Sequence, residues 1–76
     1  LSQESYTTQL LEAGIDRIAQ KVIEEAGETA LAAARGDTKH ISEEAADLVY
    51  HLLVLLSASG VTPDAVWEEL RDRRRR

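Results

Sequence analysis

Lys21-Val22-Ile23-Glu24-Glu25-Ala26-Gly27-Glu28 places three carboxylates within about a turn and a half of helix, and Glu44-Ala45-Ala46-Asp47 adds two more. At about 100° per residue, Glu24, Glu25 and Glu28 share an arc of roughly 100° on one helix, while Glu44 and Asp47 lie about 60° apart on another. Both arcs border apolar positions. If the two helices pack antiparallel, five acidic side chains converge at the edge of a core, where unpaired charge is costly to desolvate. A cation between them relieves that cost, and an all-oxygen donor set favours a hard ion, Mg2+ or Mn2+.

Outward from this pair of motifs the chain reads as helix throughout, with no strand-like alternation long enough to compete. Ser5-Tyr6-Thr7 opens a short helix that runs through Leu10 and Leu11 and stops at Gly14. A longer helix starts near Asp16, with Ile15, Ile18, Ala19, Val22, Ala26, Ala30 and Ala33 as its apolar stripe and Gly36-Asp37 as its stop. Ala32 to Ala34 permit close approach of another helix. Asp37 or Thr38 caps a third helix, in which Ile41, Ala45, Leu48, Leu52 and Leu55 keep helical spacing, with Val49 and Leu56 alongside, up to Gly60. Thr62 as N-cap and Pro63 at the first helical position begin a fourth helix, with Val66 and Leu70 directed inward.

The expected architecture is a single all-α domain over residues 1–76, a small bundle of three main helices plus a short one, with a basic tail at 71–76. A chain this short buries only about 60% of the surface its unfolded form exposes, and it has no cysteine for a disulfide. The missing stability is therefore expected from subunit packing, as a homo-oligomer. Residues 1–70 carry 13 acids against four bases, whereas residues 71–76 carry five arginines and one aspartate. So acidic a body argues against nucleic acid as a partner. The longest apolar run, Leu52 to Leu56, is far short of the roughly 20 residues of a membrane span, and the start lacks a signal-peptide pattern. A soluble, cytoplasmic protein is expected.

Each feature also has a plainer role. Acidic residues three and four apart often only solvate a helix face, although Glu24 and Glu28 repel one another and Lys21 offsets only part of that through Glu25. Gly27 costs about 1 kcal/mol relative to alanine in mid-helix, which the close approach of a ligand or a helix would explain. His51, one turn after Asp47, reads as a partly buried residue bonded to Asp47 or as an interface residue more readily than as a metal ligand. His40 belongs to an exposed first turn. Trp67 is a packing anchor or an interface residue. The arginines suit the C-terminal end of a helix dipole.

Glu-Glu-x-x-Glu followed by Glu-x-x-Asp resembles the signature of the MazG-like all-α nucleoside-triphosphate pyrophosphohydrolases. Within that superfamily three stretches are similar to the phosphoribosyl-ATP pyrophosphohydrolase branch: Ser5-Tyr6-Thr7 with Leu10-Leu11, Asp16-Arg17-Ile18-Ala19 with Lys21-Val22, and Glu43 through Leu56. The resemblance covers about residues 5–70. Members of the branch often have glycine at the position of Ile23, a larger residue at Gly27, and further chain before the Ser-Tyr-Thr segment. The resemblance implies hydrolysis of 1-(5-phosphoribosyl)-ATP to 1-(5-phosphoribosyl)-AMP and pyrophosphate, the second step of histidine biosynthesis. It also implies Glu24, Glu25, Glu28, Glu44 and Asp47 as Mg2+ ligands, one of them instead a general base. A dimer, or a dimer of dimers, with the active site near the subunit interface follows from the same likeness. Lys21 is a candidate phosphate contact or a simple partner of Glu25, and Arg17 a weaker candidate of the same kind. Ser5, Tyr6 and Thr7 contact substrate or merely start a helix. Two other functions compete: a house-cleaning (d)NTP pyrophosphohydrolase with the same metal site, and a non-catalytic helical oligomerisation module indifferent to Mg2+.

Overall fold

The computed structural model describes residues 2–75, so Leu1 and the last residue of the basic run, Arg76, lie outside the described residues. Four helices follow one another: α1 (Gln3–Ala13), α2 (Ile15–Ala34), α3 (Thr38–Ala58) and α4 (Pro63–Arg74). Local chemistry sets their ends. Ser2 caps α1 by accepting from the Ser5 amide at 3.1 Å, so the helix begins two residues earlier than the Ser-Tyr-Thr reading expects. Asp37 caps α3 through the His40 amide at 3.3 Å, and Thr62 caps α4 through the Ala65 amide at 3.2 Å, with Pro63 in the first turn as expected.

The turn joining α2 to α3 positions the site. Gly36 adopts φ 69°, a left-handed conformation that costs glycine nothing, and two backbone bonds close the end of α2: Gly36 N–H to Ala33 O and Asp37 N–H to Ala32 O, both 3.1 Å. Gly60 ends α3 with the same pair of bonds one helix later. Only residues 35–37 separate α2 from α3, so the two helices run antiparallel along their length. Residue numbers fall along α3 as they rise along α2. Ile18 thus lies at the level of Val54, Glu25 at that of Asp47, and Glu28 at that of Glu44.

The core is small. Leu10 of α1, Ile18 of α2 and Val54 of α3 form it, with Tyr6, Tyr50, Leu55 and Ala58 packed around them. Ile18 is fully buried. Ala32 is the one member of the alanine run that is buried, against α3 near the turn. Several positions expected to face inward do not. Ile15, Ala26, Ala30, Ala33, Val49, Leu52 and Leu70 are exposed, and Val66 is only half-buried. Helices α2 and α3 cover only one side of each other, so one chain buries a narrower stripe than its apolar spacing provides. Gly27 is also exposed, with open space where a Cβ would project, and no helix approaches it within the chain.

Helix α4 turns away from α3 by 108° and contributes no buried residue. Trp67, expected as an anchor or an interface residue, is half exposed. The arginines at 71, 73 and 74 form the last turn of α4, the end where the helix dipole favours positive charge. No strand occurs among the described residues, and no single helix among them is long and apolar enough to cross a membrane.

Candidate active site

The antiparallel register brings the two acidic motifs together at mid-hairpin. One carboxylate oxygen from each of Glu25, Glu28 and Glu44 lies within 4.8 Å of the others. Glu25 and Glu28 are one turn apart on α2, and Glu44 faces them from α3. Glu25 is 6% exposed, Glu44 half-buried and Glu28 open to solvent. This crowding shows on Glu44. Its carboxyl is pushed up to about 7, first by hydrogen bonding with Glu28, then by burial, by the charge of Glu28, and by hydrogen bonding and charge from Glu25. Three acidic oxygens therefore share a space in which they cannot all comfortably be ionised.

Glu25 also faces a second compartment. An open cleft of about 650 Å³ is lined by Gln3 and Tyr6 of α1, Lys21 and Glu25 of α2, and Ala46, Asp47, Tyr50 and His51 of α3. The Lys21 ammonium lies 3.5 Å from both Glu24 Oε2 and Glu25 Oε1. Burial works against its charge, but Tyr6, Glu25 and Glu24 outweigh that and hold its pKa above the ordinary lysine value. Lysine 21 is thus a stable cation at the border between the acidic cluster and the cleft.

The rings of Tyr6, Tyr50 and His51 also line the cleft. Tyr6 and Tyr50 stack with centroids 6.0 Å apart, and His51 meets each of them edge-on at 5.8 and 5.1 Å. His51, 4% exposed, uses both ring nitrogens. Its Nδ1 is 2.7 Å from the Asp47 carbonyl oxygen, which can only accept, so Nδ1 carries the proton and in the neutral ring Nε2 accepts from Tyr6 Oη at 2.9 Å. Thr7 Oγ1 donates to Gln3 O at 2.9 Å, so its close contact with Tyr50 Oη is one in which the tyrosine donates. These two tyrosine bonds tie α1 to α3. Tyr6→Phe leaves the buried Nε2 without a donor and is expected to destabilise the fold by about 1–3 kcal/mol. Chemical denaturation compared with Tyr50→Phe, whose Thr7 partner keeps its bond to Gln3, checks the difference.

The five acidic residues of the motif do not meet at one point. Glu25, Glu28 and Glu44 converge; Asp47 lines the cleft beside Glu25; Glu24 is exposed, accepting from Gln20 Nε2 at 3.1 Å and pairing with Lys21. Lys21 is paired with glutamates, its plainer role, and lines the cleft as well. Tyr6 lines the cleft, whereas Ser5 and Thr7 serve the first turn of α1 and the Tyr50 contact. Arg17 is exposed on the far side of Tyr6, beside a smaller hollow formed with Gln9, Leu10 and Ala13. The bond expected between His51 and Asp47 exists, through the main-chain carbonyl of Asp47. Tyr50 and Gln3 were not among the candidates. Only the position of Tyr50, one turn after Asp47 and next to His51, signals its place in the wall.

Fold and site together define an all-α chain whose carboxylates are gathered between two antiparallel helices beside an aromatic-walled cleft. The chain belongs to the phosphoribosyl-ATP pyrophosphohydrolase family, whose description matches residues 2–74. It is 51% identical over 71 residues to a phosphoribosyl-ATP pyrophosphatase of Azospirillum brasilense, covering 93% of this chain and 64% of that protein. It is 51% identical over 72 residues to a phosphoribosyl-ATP pyrophosphatase of Pyrobaculum arsenaticum, covering 95% and 77% respectively. A histidine biosynthesis bifunctional protein HisIE of Bacteroides thetaiotaomicron is 47% identical over 73 residues, covering 96% of this chain and 36% of its own length. The chain thus spans less than two thirds of the Azospirillum protein and about a third of the bifunctional one.

Proposed function

We propose that this chain hydrolyses 1-(5-phosphoribosyl)-ATP between the α- and β-phosphates, releasing pyrophosphate and 1-(5-phosphoribosyl)-AMP, the second step of histidine biosynthesis. Family membership and the names of its relatives support the substrate. The observation that carries the chemistry is the convergence of Glu25, Glu28 and Glu44 oxygens within 4.8 Å, with one carboxyl pushed up to about 7. Such a set fits a hard divalent cation, Mg2+ with Mn2+ as a substitute, because the donors are all oxygen and their charge is in excess. When bound, that ion supplies neutralisation of phosphoryl charge and a lowered pKa for the attacking water.

The residues themselves do the rest. Glu25, Glu28 and Glu44 would hold the ion, with Glu24 adding to the acidic set from the same turn of α2. Asp47, on the cleft side of Glu25, is the carboxylate this leaves as general base. Lys21 attracts the substrate's phosphate, which an acidic surface alone repels. The exposed apolar side chains on α2, α3 and α4, among them Ile23, Leu31, Val49 and Trp67, support packing against a second copy of the chain as a homodimer.

Pyrophosphate release measured on phosphoribosyl-ATP, ATP and a set of dNTPs, with and without Mg2+, tests the reading. Release from phosphoribosyl-ATP alone, dependent on Mg2+, is the expected result. Release from ordinary nucleotides at comparable rates places the chain in the house-cleaning class. No release from any of them leaves a helical binding module.

A further inference from the structure

Helix α4 gains little from its own chain. It is 12 residues long, turns 108° away from α3 and contains no buried residue, and a helix of that length is marginal in water on its own. Its sequence is nevertheless sorted. At about 100° per residue, Val66, Trp67, Leu70, Arg71, Arg73 and Arg74 fall within an arc of roughly 160°, while Asp64, Glu68, Glu69 and Asp72 occupy the opposite side. Trp67 and Leu70 are half exposed. An apolar face with a tryptophan at its centre and guanidinium groups at its edge suits docking on an acidic surface. Where α4 leaves α3, a groove of about 410 Å³ opens, and its lining of Leu53, Ser57, Gly60, Val61, Thr62 and Pro63 carries no charge.

Charge decides what that acidic surface is. An anionic membrane or a nucleic acid attracts the arginines but repels residues 1–70, which carry 13 acids against four bases. A second copy of this chain brings an acidic body of its own, with Glu4, Glu12, Asp16, Glu24 and Glu43 exposed on it. Two-fold symmetry then satisfies both α4 helices at once. We propose that α4 is an arm exchanged between two copies: Trp67 of each seats in the other's groove between α3 and α4, and Arg71 and Arg74 meet the other's acidic surface. The arm rests on the homodimer inferred above and not on the reaction.

Trp67 is the only tryptophan of the chain, so its fluorescence reads the contact directly. Sedimentation equilibrium and Trp67 emission are followed together on the wild-type chain over a dilution series. As the dimer forms, emission is expected to shift to the blue and acrylamide quenching to fall by about half or more. Raising the salt from about 0.05 to 0.5 M should weaken association about tenfold. Trp67→Ala, and Ser57→Arg in the groove, should each weaken it about tenfold or more. The double variant Arg71→Glu, Arg74→Glu should weaken it and abolish its sensitivity to salt. Because α4 holds no residue buried within the chain and Ser57 is exposed, these variants are expected to keep their helicity by far-UV circular dichroism. If a variant unfolds, the wild-type fluorescence decides alone.

A dimer whose Trp67 stays as open to acrylamide as in the monomer overturns the exchanged arm and leaves the homodimer standing. A chain that is monomeric throughout the series removes both. A blue shift on phosphatidylglycerol vesicles without one on self-association overturns the arm in favour of a membrane. Pyrophosphate release from phosphoribosyl-ATP, measured on the same samples, fails or holds separately: its absence with Trp67 shielded in the dimer removes the activity and supports the arm.

Discussion

Glu25→Ala is expected to lower pyrophosphate release from phosphoribosyl-ATP by about 1000-fold, equivalent to about 4 kcal/mol of barrier. No other carboxylate in the site occupies its position. It is the most buried acid of the cluster, one of the three converging oxygens, the partner of Lys21, and part of the cleft lining. Its removal leaves two carboxylates for the cation and loosens the lysine. Glu24, exposed and shared between Gln20 and Lys21, is expected to matter less, with Glu24→Ala losing nearer tenfold. Initial rates at saturating Mg2+ for both variants, with helicity measured alongside, check the order. Equal losses in the two, or a Glu25→Ala enzyme retaining a tenth of its activity, would sink the idea that the metal is centred on Glu25, Glu28 and Glu44.

The second large effect concerns pH. A carboxyl held at about 7 in the folded chain, against an ordinary 4.5, binds its proton more tightly folded than unfolded. Its contribution to stability is complete below pH about 4.5 and is lost as pH rises through about 7. A divalent cation competes with that proton, so its affinity climbs across the same window. The metal-free protein should melt at a lower temperature at pH 8 than at pH 5, and Mg2+ should raise the melting temperature strongly at pH 8 and little at pH 5. Glu44→Gln keeps a neutral side chain in place at every pH. It should exceed the wild type in stability at pH 8 without metal, gain little from Mg2+, and lose activity. His40, raised by hydrogen bonding to Asp37 and by its charge, loses its own contribution as pH rises through its raised pKa, in the same direction. Asp37, lowered by the same contact, loses its contribution only as pH falls through its lowered pKa. The double variant His40→Ala, Glu44→Gln separates the histidine from the cluster. Metal-free stability that increases from pH 5 to pH 8, or a Glu44→Gln protein that gains from Mg2+ as the wild type does, contradicts this account.

Much of the fold was legible because its signals are local. Gly14, Gly36 and Gly60, the Asp37 and Thr62 caps and Pro63 mark helix ends by chemistry that acts within a few residues. The convergence of Glu25, Glu28 and Glu44 was also legible, since a helical period and a short turn suffice to set their register. Burial was harder to read. Spacing nominates every apolar position on a stripe, but which of them is covered depends on how many neighbours a helix has. With α3 along one side of α2 and α1 touching it only near its start, Ile15 and Ala26 are left exposed while Ile18 is sealed. The aromatic wall was hidden for a related reason. That Tyr6 meets His51 depends on how α1 lies across the hairpin, a packing decision 45 residues removed in sequence, and hydrogen-bond direction follows only once that contact exists.

The three-residue turn at 35–37 also governs the order of assembly. Every carboxylate of the cluster lies on one helical hairpin, and contacts so close in sequence form early and fast. The wall that Tyr6 adds depends on α1 reaching across to α3, a closure over a much longer loop, which costs more chain entropy. A nascent hairpin therefore brings its acids together before the aromatic wall is complete. At that stage a proton on Glu44 or a captured cation relieves the repulsion, so the folding rate itself is expected to quicken with Mg2+ and to slow as pH rises.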